Sequence, residues 1–460
     1  MFKRIGAALL GLLALLAVFL LASRFWPASP LQKQARAALE QPQDWPGDNA
    51  WALLETLDHA GLDMAQRQAL VDDRVRRFTA WRQENAGMWD DQAENQGRGP
   101  VPSLGGQAVA YERSELLCAS NQALQCLDKV RQAPEAVAAE LATRQPRLQQ
   151  LAQLADYGHV RSPYPGDASM PFLHTLGGLF DPLAAHALAH VQGNSDQALD
   201  GLCRDIGAGR MLLTRSDSLI NAMVGTAMLQ ANGQLLGQVL AELPAGQPLP
   251  VTCTTTLAPL PAQDLGLCRA MRSDYAMSRA SISDSYQHQA ASTLGASWMF
   301  NVDKTLNRFA MTQGQGCLTP IQQELAADLP ATFDEGELSL WRMECPANAI
   351  GCILSAVAGP VYTDYVRRAQ DAAAQQRLLG ALVWLREQPA LTPDMIAQRL
   401  QDLPVGLQSP SRPVQLSADG RSLEVAQRYA RNSPAGTGPI SLPLPRAWWP
   451  PATAGSSASP

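Results

Sequence analysis

The chain has 460 residues, of which 46% are hydrophobic and only 17% charged, with a formal net charge of -6. A charged fraction well under the ~25% usual for soluble chains excludes extended disorder, and at ~150 residues per domain the length fits one to three folded units. The acidic balance gives no field to attract phosphate backbones, and no basic run is interleaved with aromatics, so nucleic acid is not an expected partner.

The first element is the most legible. Lys3 and Arg4 precede an uncharged apolar run over residues 5–22, followed by Arg24, Phe25, Trp26 and Pro27. As a helix rising ~1.5 Å per residue it covers roughly 27 Å, close to the ~30 Å hydrocarbon thickness of a bilayer. Leu holds the outer position in both Leu20-Leu21-Ala22 and Leu21-Ala22-Ser23, so no small-x-small cleavage site follows. The expectation is an uncleaved signal anchor with Phe25 and Trp26 at the interface. No cysteine follows the run, which excludes a lipoprotein. Lys3, Arg4 and the terminal amine face Arg24, Lys33 and Arg36 across the span, so positive charge alone does not orient it.

Beyond the anchor the period is helical. Residues 31–40 and 49–60 read as helices, and then Arg67, Leu70, Val71, Arg74, Val75, Phe78 and Trp81 recur at three and four residues and share one face. After a break at 87–106, helices are expected over 114–132 and 134–157, Pro134 suiting a first helical turn, with an irregular stretch at 159–170. The middle is a run of helical hairpins, 182–192, 195–213 and 218–243. Its first turn resembles that of a tetratricopeptide hairpin, although no period repeats it. A proline-punctuated loop at 244–261 leads to helices over 264–281, 290–311, 362–387 and 393–402. Residues 414–417 and 422–425 alternate around Asp419-Gly420, the signature of a β-hairpin. From 432 onward Pro, Gly, Ser and Ala dominate, with Trp448 and Trp449 as the bulky exceptions, and a disordered tail is expected.

The eight cysteines contain no Cys-x-x-Cys, so they offer none of the tight ligand pairs that a structural zinc needs. Cys118 with Cys126, and Cys345 with Cys352, are the short-loop disulfide candidates, and Cys253 with Cys268 is the third. An even count behind an export signal indicates an oxidising compartment, which in a Gram-negative cell is the periplasm.

Several stretches resemble landmarks of a family of single-pass envelope proteins of high-GC Gram-negative bacteria. They are Cys126-Leu127 with Val130-Arg131, Gly201-Leu202-Cys203-Arg204-Asp205, Arg215-Ser216-Asp217 with Leu219-Ile220 and Met223-Val224, Phe300-Asn301 with Lys304-Thr305-Leu306-Asn307, and Asn348 with Ile350-Gly351. Val302 and Ala349 stand where that pattern has Pro. The resemblance implies an exported, mainly helical chain, and none of its landmarks is a catalytic signature.

Candidate chemistry is sparse. His186 and His190 lie four apart on one helix face, with His174 and Asp181 as the nearest further ligands. The pattern His-Ala-Leu-Ala-His lacks the glutamate that would activate a zinc-bound water, and packing histidines are the expected account. No Gly-x-Ser-x-Gly elbow, Ser-x-x-Lys or phosphate loop occurs. Arg204, Asp205, Arg210, Arg215 and Asp217 form the densest charge cluster and read as interhelical salt bridges.

The expected fold is all-α, with an N-terminal transmembrane helix (1–28), packed helical hairpins (29–410, with subdivision points near 86–110 and 244–261), a β-hairpin appendage (411–431) and a disordered tail (432–460). The expected role is a periplasmic scaffold or protein-interaction module, held to the inner membrane through residues 5–22 and serving envelope protein partners without a cofactor. The alternative is an envelope hydrolase, metal-dependent, with its site at His174, Asp181, His186 and His190.

Overall fold

The computed structural model describes residues 2–85, 99–166, 169–173, 176–285, 296–333, 342–358, 361–388, 391–429 and 438–450. Helix α1 (Phe2–Phe25) is followed by α2 (Pro30–Leu39), α3 (Trp51–Glu55) and α4 (Met64–Glu84). Ser29 with Gln32, and Asp63 with Gln66, form capping boxes in which each side chain satisfies the other residue's backbone N–H at the start of α2 and α4. Next come α5 (Cys126–Gln132), α6 (Pro134–Thr143) and α7 (Gln145–Ala152). The single helix expected over 134–157 is divided because Pro146 has no N–H to continue α6 and instead sits in the first turn of α7.

The middle holds α8 (Asp181–Val191), α9 (Ser195–Thr214), α10 (Leu219–Glu242), α11 (Val251–Thr256) and α12 (Cys268–Ser285). Then follow α13 (Ala296–Met299), α14 (Val302–Gln313), α15 (Thr319–Ala326), α16 (Ala349–Ala358), α17 (Val361–Arg386) and α18 (Pro393–Arg399). The expected helix over 290–311 is interrupted at Asn301, whose side chain accepts the Lys304 N–H and so starts α14 afresh; residues 290–295 lie outside the described ones. Helices α15 and α16 have no counterpart in the sequence reading, nor has α11, which lies within the loop expected over 244–261.

Helices α9 and α10 form the central hairpin. A Cβ on Gly225 would lie 2.6 Å from the Gly209 carbonyl oxygen and 2.5 Å from the Leu213 nitrogen, so the two helices cross backbone to backbone and only glycine fits. Helix α10 is buried over most of its circumference, through Ala222, Leu229, Leu235, Leu236, Val239 and Leu240, with one half-buried stripe at Met223, Ala227, Gln230, Gln234 and Gln238. It meets α17 at Gly233, where the absent side chain admits Gln375, whose Nε2 donates to the Gln230 carbonyl at 2.8 Å.

A second apolar cluster gathers α3 and α4 (Trp51, Leu54, Val71, Phe78, Trp81) with Val160 and Tyr164, and reaches Leu212 and Met228 of the central hairpin. At its centre the buried Glu55 carboxylate accepts bonds from Trp51 Nε1, Arg74 and the Tyr164 hydroxyl, each at 2.6 Å. The inner face of α4 therefore includes Arg67 and Arg74 among its apolar residues, Arg67 donating to the carbonyls of Thr56, His59 and Leu62.

Four disulfides are present. Cys118–Cys126 and Cys345–Cys352 close short loops, while Cys203–Cys253 ties α9 to α11 and Cys268–Cys317 ties the start of α12 to the turn after α14. The expected Cys253–Cys268 bridge is corrected: α11 packs on α9 and brings the Cys253 Cα within 5.0 Å of that of Cys203. Loops closed over separations of 50 and 49 residues each remove about 4 kcal/mol of unfolded-chain entropy, against about 2.5 for the short rings.

Strands β1 (Gln415–Leu416) and β2 (Ser422–Val425) form the expected hairpin, with Gly420 at φ +70° in its turn. A third antiparallel strand, β3 (Ile440–Pro443), pairs with β2 and sets Leu442 opposite Leu423. The expectation of a disordered tail from 432 is thus corrected for 438–450, whose Leu442, Leu444 and Trp448 are buried in the same core as α10 and α17; 432–437 and 451–460 lie outside the described residues. Nor is the sheet an appendage.

Arg412 locks this sheet to the helices. Fully buried, it donates through Nη2 and Nε to Asp328 at 2.5 and 3.1 Å, through Nη1 to Asp371 at 2.7 Å, and to the carbonyls of Gln370 and Ala426. Asp371 also accepts the backbone N–H groups of Arg428 and Tyr429. Removing one partner of such a buried network leaves an uncompensated charge, so Arg412→Met should cost about 3–5 kcal/mol in chemical denaturation. A loss below about 1 kcal/mol would contradict this account.

Candidate functional site

Of the expected histidine site, the structure gives Asp181, His186 and His190 separate partners. Pro182 in the first turn of α8 starts the helix that carries both rings. His186 Nε2 lies 2.9 Å from Asp205 Oδ2 across the α8–α9 contact, over Gly201, where a Cβ would come within 2.2 Å of the ring. His190 is held by Ser195 Oγ at Nδ1 and by Glu242 Oε2 at Nε2, both at 2.9 Å. Glu242 also accepts from Arg131; burial opposes its ionisation, but the bonds from Arg131 and His190 outweigh it and hold the carboxyl below the usual range.

Asp181 faces elsewhere. It is buried and accepts the Tyr111 hydroxyl at 3.0 Å and Arg144 Nη1 at 3.1 Å. Tyr111 in turn lies between Arg144 and Arg147, whose guanidinium carbons are 5.4 and 4.8 Å from the ring centre. Burial, then the Asp181 charge, pushes the Tyr111 phenol up to about 12. His174 lies outside the described residues. Among the described residues, no three of His, Cys, Asp and Glu gather in an arrangement that could hold a metal ion.

The charge cluster at 204–217 also disperses. Arg204 reaches Asp156 and the Ala152 carbonyl, Arg210 takes the carbonyls of Ala258 and Pro259, and Asp217 Oδ2 accepts the Ser162 N–H at 2.7 Å. The expected interhelical salt bridges are therefore mostly stitches from helices to loops. Asp217 Oδ1 is buried and has no hydrogen-bond partner among the described residues. Burial pushes this carboxyl up to about 6, and burial together with the Asp217 charge pushes Asp274 up to about 7.

A cleft of about 970 Å³ lies where the loop after α10, α11, the C-terminal end of α17 and the segment after β3 converge. Leu249, Leu257, Val383, Leu391, Leu407 and Trp448 supply its apolar wall, and Gln247, Thr254, Glu387 and Gln388 its polar positions. Arg386 forms part of its floor and caps α10, donating to the carbonyls of Leu240, Leu243 and Pro244 at 2.7, 3.2 and 2.7 Å. A concave, mainly apolar wall with few polar groups suits a ligand or a partner's side chains. Sequence reasoning missed it because its residues are spread from 245 to 448; the proline-punctuated loop and the tryptophan in the tail were the available signals.

No family model matches the chain, and no match was found among curated proteins or among solved structures.

Two outcomes test this geometry. Gly201→Ala drives a methyl group into the His186 ring and should cost about 1–3 kcal/mol, measured by thermal melting, with much of the loss recovered in the Gly201→Ala, His186→Ala double variant. Additive losses would refute the contact. Because Asp217 and Asp274 are raised above the ordinary carboxylate value of about 3.9, the folded chain holds protons that the unfolded chain has released. Their stabilisation is full below that value and lost as pH rises through about 6 and 7, so the melting temperature should fall between about pH 4 and 7 and level off above. Asp217→Asn with Asp274→Asn should flatten that slope, and an unchanged slope would exclude these two groups as its source.

Proposed function

We propose that the chain is a single-pass protein of a bacterial inner membrane, its bulk in the periplasm, and that it serves there as a scaffold or interaction module binding an envelope protein through the cleft beside Trp448. One observation carries the anchored reading. The apolar side chains of α1 are exposed along its length, Leu10 and Leu15 at 70%, yet its C-terminal end is built into the body. Ser23 is fully buried, its Oγ accepts the Ala347 N–H at 2.9 Å, and Lys304 Nζ donates to the carbonyls of Ser23 and Trp26, each at 2.8 Å. Cleavage near Ser23 would remove a residue on which the folded body closes, which supports an anchor over a removable leader. Four disulfides among eight cysteines support an oxidising compartment.

Alkaline phosphatase fused after Ala60 should be active, and the native chain should resist carbonate extraction, retain Met1 and give the four disulfides on non-reducing peptide mapping. A soluble mature form beginning near Ser23, or alkylatable thiols at Cys345 and Cys352, would overturn the localisation. For the cleft, Thr254→Trp, at an exposed lining position, should leave the melting temperature unchanged and reduce at least severalfold the envelope protein cross-linked to the full-length chain in cells. An unaltered cross-link would remove the cleft from this reading.

A further inference from the structure

Helix α16 is built inside out. Ile350, Ile353, Leu354 and Val357 recur at three and four residues and are 37%, 43%, 44% and 77% exposed, while Gly351, Cys352 and Ser355 face the protein. A helix on the surface of a globular body ordinarily buries its apolar stripe and exposes its polar one. Here the inward face is fixed by close contact: a Cβ on Gly351 would lie 1.9 Å from Thr305 Oγ1, Cys352 is tied to Cys345, and Ser355 Oγ accepts Arg308 Nε at 2.9 Å. The outward orientation of the stripe is therefore set by packing rather than by an adjustable rotation. No residue of α16 is charged. Trp298 and Met299 of the adjoining α13 are also exposed, which extends the apolar surface and adds an aromatic side chain of the kind that favours a membrane–water interface.

The position of this face identifies what covers it. Ala347, two residues before α16, donates to Ser23 near the end of α1, and Lys304 of α14 takes the last carbonyls of the same helix. Asn348 completes the joint, accepting the Asn301 N–H at 2.7 Å and the Thr305 hydroxyl at 3.1 Å. Exposed Phe25 ends α1 and exposed Trp26 follows it, so the aromatic exit of the anchor lies at the junction, through Ser23 and Ala347, from which α16 starts. At 10 residues α16 is about 15 Å long, too short to cross a bilayer but suited to lying in its interface. The stretch Ala349–Arg386 has the length and composition of a span, but α17 cannot leave the body because it carries core alanines and leucines and the buried Asp371. Within the stretch Ala349–Arg386, only α16 is thus free to meet lipid.

We infer that α16, with Trp298 and Met299 beside it, lies in the head-group layer of the bilayer that α1 crosses, seating the body against the membrane through a second, non-spanning contact. This rests on the anchored reading, and the test separates the two. The full-length chain is reconstituted in vesicles of phosphatidylethanolamine and phosphatidylglycerol with a photoreactive benzoylphenylalanine placed singly at Leu15, Leu354 or Val405, the last an exposed apolar residue on a different part of the surface. Lipid adducts should form at both 15 and 354, the latter severalfold above 405. Adducts at 15 with no excess at 354 would leave the anchor standing and overturn the seating. Adducts from 354 to protein rather than lipid would overturn it in favour of a second copy or another protein partner. No lipid adduct at 15 would defeat the anchored reading and the seating with it.

Discussion

Arg412 and its two carboxylates are the constraint on which the C-terminal half closes. A guanidinium withdrawn from water is tolerable only when paired and hydrogen-bonded, so Asp328, Asp371 and the carbonyls of Gln370 and Ala426 must all arrive together. That requirement brings the loop after α15, the middle of α17 and the two ends of the hairpin segment to one point. It also accounts for the left-handed backbone at Asp328, φ +51°, a conformation costly for a residue with a Cβ and held here by Arg412, Arg377 and Ser409. Burial alone would raise the Asp328 carboxyl; its bonds to Arg412 outweigh burial and hold it below the usual range. With the sheet fixed in this way, Leu423 and Leu442 close over α10 and α17, and Trp448 reaches the cleft.

Several other charged side chains serve segment ends. A chain of many short helices leaves many carbonyls without partners, since each helix ends with four unsatisfied C=O groups. Arg386 meets those of α10, Lys304 those of α1, Arg67 those around α3, and Arg210 those after α11. Histidines are used similarly, His186 against Asp205 and His190 between Ser195 and Glu242. Charge clusters that resemble chemistry in the linear chain are thereby engaged in holding helices to loops. Among the described residues, the cleft beside Trp448 and the outer face of α16 are apolar surfaces left outside this network.

The junction between α1 and the body joins these two aspects. The ring closed by Cys345 and Cys352 carries Ala347 and Asn348, which contact Ser23 and the start of α14, so a short covalent loop fixes the end of α1 relative to α14. Reading the cysteine spacing as a closed loop was possible from the sequence; that this loop grips the end of α1 was not, because the partners are 324 residues apart.

What the sequence determined by itself was whatever depends on neighbours in the chain. The apolar run of α1, the α8–α9–α10 hairpins, the β1–β2 turn at Asp419-Gly420 and the two short disulfide loops are set by periodicity, turn residues and ring size, all local quantities. Tertiary structure decided the rest. Cys253 bonds Cys203 and not the nearer Cys268 because α11 packs on α9. Ile440–Pro443 becomes a strand because β2 offers a free edge over a buried face, which outweighs the proline-rich composition around it. Helix α16 escaped notice because its apolar stripe looks the same whether it faces in or out, and Thr305 against Gly351 turns it outward. Periodicity specifies that a face exists; only the packing of distant segments specifies what that face meets.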